Sequence, residues 1–129
     1  MRRILCGALC VMLFCVLVSS FRAEAQSPRA GAFVICDTAE QAIMFGSLFE
    51  EKGAKGAADA VNEDAKNPDA CGMYHVHFIR GDEKGVVIIG GIPHTVIEIL
   101  VIGVRTEQGW QMVPPTVQYA VEAAEGRPA

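Results

Sequence analysis

What most limits how this chain can fold lies at its start. Met1-Arg2-Arg3 is followed by residues 4–18, fifteen positions without a charge, and then by small and polar residues ending Ala23-Glu24-Ala25. A positive end, an apolar run and an Ala-x-Ala site, in that order, make a cleavable secretory signal. Fifteen apolar residues also fall short of the ~20 that cross a bilayer as a helix. The cut is expected between Ala25 and Gln26, which leaves residues 26–129 as one small domain. An uncleaved N-terminal anchor is the alternative. Cys6, Cys10 and Cys15 follow Leu5, Leu9 and Phe14, where a lipid-attachment site needs a small residue. Arg2-Arg3 lacks the flanking pattern of a twin-arginine signal.

Removing this segment changes what the composition means. The whole chain has 129 residues, is 51% apolar and carries a formal charge of −4. Taking away Arg2, Arg3, Arg22 and Glu24 leaves 8 basic and 14 acidic side chains on 104 residues, a charge of −6. An acidic domain without a basic stripe is a poor partner for nucleic acid or an anionic membrane surface. No membrane insertion is expected after cleavage, and the partner is an unspecified protein or small molecule. Five cysteines become two, Cys36 and Cys71. An even number in a periplasmic or secreted protein points to a disulfide. Closing a loop of that length stabilises by about 4 kcal/mol in the chain-entropy picture.

Along the remaining chain, residues 26–31 read as a flexible leader and 32–36 as a short apolar strand. Asp37 with Glu40, or Thr38 with Gln41, can open a helix through a capping box. That helix covers about 39–52, with Ala42, Phe45, Leu48 and Phe49 on one face, and Gly53 stops it. A thinner helix follows over about 57–66 and ends at Asn67-Pro68-Asp69. By length, the first helix leads about 20 Å away from Cys36 and the second returns as far, which brings Cys71 back to it.

After Cys71 the pattern is β. Residues 73–80 alternate, 81–85 read as a turn, and 86–89 form a short strand before Gly90-Gly91 and Pro93. Residues 95–106 are β-branched and apolar on both faces, the mark of a central strand. Glu107-Gln108-Gly109 turns the chain into 110–113, Pro114-Pro115 kinks it, 116–121 add an edge strand, and 123–129 form a frayed tail. This order predicts an α+β fold, an N-terminal strand and helical hairpin followed by an antiparallel meander. The alternative is an SH3-like small barrel of four C-terminal strands with N-terminal helices.

Candidate chemistry is thin. His75 and His77 share one face of a strand, while Tyr74, Val76 and Phe78 take the core face. With His94 they are the residues available for a three-histidine zinc or copper site. Without HExxH or CxxC, histidines on the wet side of a strand are the plainer reading, and no cofactor is expected. Glu98 sits in the most apolar strand, where Arg80 or Arg105 could pair with it and His94 could form an acid–base couple. There is no Gly-x-Ser-x-Gly or Ser-x-x-Lys set. Gly90-Gly91 has no helix behind it to cradle a phosphate. Trp110, with Met112 and Tyr119 nearby, reads as a lid on the core or as a small aromatic patch. No catalytic residue is assigned. The expectation is a non-enzymatic exported accessory or interaction domain, and the alternative is a small metal-binding protein or hydrolase using His75, His77 and His94.

Cys36-Asp37-Thr38-Ala39-Glu40-Gln41, Ala60-Val61-Asn62, Ala70-Cys71-Gly72 and Val101-Ile102-Gly103-Val104 resemble a pattern in small exported proteins of alphaproteobacteria, a group without an assigned activity. The resemblance implies a Gram-negative periplasm and paired cysteines, and it carries no functional residue.

Overall fold

Strand, helix and three further strands follow one another through residues 27–123, which the computed structural model describes. They are β1 Arg29–Cys36, α1 Ala39–Ala65, β2 Cys71–Ile89, β3 Ile92–Thr106 and β4 Gly109–Ala123. The class is α+β, and β2, β3 and β4 form an antiparallel meander. β1 pairs with β2 along its whole length. It meets β4 at only two positions, Ile35 opposite Ala120 and Cys36 opposite Tyr119, and this closes a four-stranded barrel. One barrel strand thus precedes the helix, whereas the barrel alternative drew all four from the C-terminal half. The signal segment, its cut between Ala25 and Gln26, and residues 124–129 lie outside the described residues.

The helix begins where a capping box allows. Thr38 Oγ1 accepts from the Gln41 N–H, and Gln41 Oε1 accepts from the Thr38 N–H, both at 3.1 Å. Inside α1 one residue is non-helical: Gly53, at φ 73° and ψ 176°, a backbone open to glycine and strained for other residues. A straight helix of 27 residues would run about 40 Å. Yet the Asp37 N–H donates to the Ala70 carbonyl at 2.9 Å. The helix therefore departs from a straight rod, and its kink falls at Gly53.

Beyond α1, Asn62 pins the returning chain. Its amide donates to the carbonyls of Pro68 at 2.9 Å and Cys71 at 3.0 Å, and its Oδ1 accepts from the Cys71 N–H at 2.7 Å. Cys36 and Cys71, 35 residues apart in sequence, are bonded to each other with their Cα atoms 4.1 Å apart.

Several strand boundaries differ from the sequence expectation. Arg29, Ala30 and Gly31 are no leader, because they pair with Phe78, His77 and Val76. Residues 81–85 are no turn either. β2 continues through them with register shifts between Arg80 and Glu83 and between Glu83 and Gly85, bulges that bend the strand. The reversal comes at Gly90-Gly91, both at positive φ, as a two-residue hairpin turn requires. β3 starts before Pro93, and β4 runs through Pro114-Pro115. Residues 113–115 have no ladder partners and lie opposite Ile102, a bulge where a missing N–H costs nothing.

Two apolar clusters result. Inside the barrel are Phe33, Ile35, Val76, Phe78, Ile97, Ile99, Val101 and Ala120, with Phe33 and Phe78 edge to face at 5.1 Å. Val76 and Phe78 take the core face as expected. Tyr74 shares that face by alternation but is 40% exposed and stays out of the core. Between helix and sheet, Ala42, Phe45, Ala57 and Val61 pack on Cys36, Cys71, Val87, Val96 and Val121. A Cβ on Gly46 would stand 2.6 Å from Val87 Cγ2, so the helix sits this close to β2 only with glycine there.

Candidate functional site

The alternation of β2 settles the histidines of that strand. With Val76 and Phe78 in the core, His75 and His77 face outward, His75 exposed and His77 half-buried. His77 stands opposite Gly103 on β3, and Gly103 stands opposite Met112 on β4. A Cβ on Gly103 would touch His77 Cβ at 3.4 Å and Nδ1 at 3.6 Å. Anything bulkier would fill the space the imidazole uses. Across this gap the His77 ring lies flat on the indole of Trp110, with centroids 3.7 Å apart and planes 7° from parallel.

Trp110 is therefore no core lid. It is 43% exposed, and Met112 beside it is 81% exposed. Two positions along β2, Ile79 stands opposite Leu100, and Leu100 opposite Val117. The outer face of the meander thus carries a stacked aromatic pair and an apolar row.

His94 is elsewhere. It pairs with Val87 and Ala123 in the ladders, and its ring Nδ1 donates to the Ile92 carbonyl at 2.9 Å. Its side chain helps to line a pocket on the helix side of the sheet. The three histidines are not brought together, and among the described residues no group of three His, Cys, Asp or Glu side chains is placed to hold a metal ion.

The acid–base pairing does not form either. Four residues along one strand separate His94 from Glu98 by about 13 Å. Glu98 pairs with Lys84 at 3.3 Å, not with Arg80 or Arg105. Arg80 instead reaches Glu122 at 3.1 Å, and Glu122 is the buried charged residue among those described, 5% exposed. Both side chains point into the barrel, where Arg80 donates from Nε and Nη2 to the same carboxylate oxygen. A buried carboxylate held by a guanidinium in this way ties β2 to the end of β4.

Two features escaped the sequence reading, the His77–Trp110 stack and the pocket beside His94. The first left a trace, a glycine within the strongest strand, which often marks a close approach of other groups. The second left none, because its walls come from five separate stretches of chain. No helix among the described residues is long and apolar enough to cross a membrane. The chain matches no known protein-family model, and no curated protein or solved structure proved similar to it.

Proposed function

We propose that this chain is exported, loses residues 1–25, and works in the periplasm or outside the cell as a non-enzymatic interaction domain. Its partner is met by the outer face of the meander, at His77, Trp110 and Met112. The observation that carries this reading is the exposure of that face, where a large thioether and a stacked indole stand in solvent on a rigid sheet. Tryptophan and methionine in such positions are typical anchors of recognition surfaces. The disulfide supports export, since such bonds persist in oxidising compartments. In this reading the N-terminal strand and the two arms of α1, taken as a hairpin, brace the sheet from behind.

The test is a capture experiment from the native cell envelope with the exported protein, the Trp110→Ala, Met112→Ser double variant and a variant changed only on the exposed side of α1. The double variant should keep its melting temperature and lose the partner that the other two retain. Equal capture by all three would sink the assignment of the face. Intact mass of the exported protein should correspond to a start at Gln26, and a product retaining Met1 would overturn the export claim. Stoichiometric zinc or copper, lost on His75→Ala, His77→Ala substitution, would replace this reading with a metal-binding one.

A further inference from the structure

The pocket beside His94 lies between α1 and the barrel, at the other end of β3 from the His77–Trp110 stack, and the local sequence explains why it is there. Phe45 and Phe49 come one helical turn apart in the first arm of α1, their rings 5.8 Å apart and inclined at 66°. Gly53 kinks the helix just beyond them, and the next side chain is the small Ala54. Gly46 lets the helix approach β2 at Val87, which fixes this arm against the sheet. The facing wall is Val34 of β1, Met73 and Ile89 of β2 and Val121 of β4. What remains between the walls is an apolar space of about 250 Å³.

The size and polarity of this space define what fits. A cavity of ~150 Å³ lined by hydrocarbon holds one benzene, six non-hydrogen atoms. By proportion this pocket takes about ten. Among the described residues its one polar side chain is His94, and no lysine, arginine or acid lines it. The ring is held from two sides. Its strand is laddered to both neighbours, and a carbonyl oxygen can only accept, so Nδ1 carries the proton given to Ile92. In the tautomer with that proton on Nδ1, Nε2 is the ring's free acceptor. A carboxylate ligand would enter an acidic protein with no cation in the lining to meet it. A hydroxyl brings the proton that Nε2 lacks and no charge. Two phenylalanines at the wall favour an aromatic ring, which packs well edge to face.

We propose that this pocket binds a neutral, largely hydrocarbon phenol or alcohol of about ten non-hydrogen atoms, whose hydroxyl donates to His94 Nε2. It is a site distinct from the outer face, and it stands or falls independently of the partner proposed there.

The probe is 4-propylphenol, with its methyl ether and octanoate as controls, added to oxidised protein produced from the full sequence. The phenol should raise the melting temperature and shift the methyl resonances of Val34, Ile89 and Val121, leaving the Trp110 indole signal unmoved. The methyl ether, which cannot donate, should bind several-fold more weakly, and octanoate weaker still. Ala54→Leu, which fills the space, should abolish the shifts, with circular dichroism confirming the fold. His94→Phe keeps the ring and removes the acceptor. It should weaken the phenol to the level of its ether, a loss of several-fold up to about tenfold. No shift of pocket methyls at saturating phenol would overturn the site. Equal binding of phenol and ether in the unaltered protein would overturn the role of His94. Preference for octanoate would overturn the neutral class of ligand.

Discussion

The inside of the barrel and the layer under the helix are both apolar, but they are held together differently. The barrel core is built of bulky side chains, two phenylalanines and three isoleucines among them, supplied by all four strands. The helical side of the other layer is thin: the buried positions of α1 are Ala42, Phe45, Gly46, Ala57 and Val61. Apolar burial stabilises roughly in proportion to area, so three of those five positions contribute little. Around that thin layer stand a disulfide, the three hydrogen bonds of Asn62 and a reciprocal helix cap. Where side-chain volume is small, covalent and polar ties take over the work of holding the chain.

The largest expected effect tests the barrel half of this contrast. Phe78→Ala removes a buried ring that packs edge to face on Phe33, and it should cost about 3–5 kcal/mol in denaturant unfolding. A loss below about 1 kcal/mol would mean that the barrel interior relaxes freely and is no better packed than the helix layer.

Next comes the staple. Cys71→Ser, or reduction, should lower stability by about 2–4 kcal/mol. The contrast sharpens if hydrogen exchange is followed as well. Amides of α1 should lose protection on reduction well before those of β3, whose ladders to β2 and β4 do not involve the bond. Uniform loss across both regions would show one cooperative unit instead of two.

The smallest effect is expected on the outside of the helix. Lys55 donates to Asp59 at 2.8 Å, and this hydrogen bond, with the carboxylate charge beside it, raises the lysine pKa above its ordinary 10.5. A raised pKa places the contribution on the acid side. It is present below 10.5 and is lost as pH climbs past the folded value. Because the pair is fully solvated, Lys55→Met should leave the melting temperature unchanged at neutral pH. A measurable drop would show that α1 depends on surface charge as well as on the staple.

What could be read in advance was local. Thr38 with Gln41, the break in helical geometry at Gly53, the pairing of Cys36 with Cys71 and the inward turn of Val76 and Phe78 all depend on residues close in sequence or on the count of cysteines. The misreadings came where distant partners override local preference. Gly81-Asp82-Glu83-Lys84-Gly85 has the composition of a turn, yet β3 supplies partners on both sides of it, and the extra residues become bulges. Pro114-Pro115 reads as a kink between two short strands and is absorbed into one strand in the same way. Barrel closure rests on two residue pairs, too few to leave a pattern in the chain. For the candidate site, strand alternation placed His75 and His77 correctly on one face. It could not show that His94 lies beside the helix at the other end of β3, or that Trp110 would meet His77 across a glycine.

Cys36 and Cys71 are not merely near each other. They occupy directly opposite positions in the β1–β2 ladder. Sliding β1 by one residue would turn Phe33 and Ile35 out of the barrel and Val34 in, and it would also move the two sulfurs out of reach of each other. Thiols held out of reach of each other stay open to exchange with other thiols and disulfides, and the ladder position of this pair removes that exposure. The bond thus ties the covalent state of the chain to one alignment of β1 on β2.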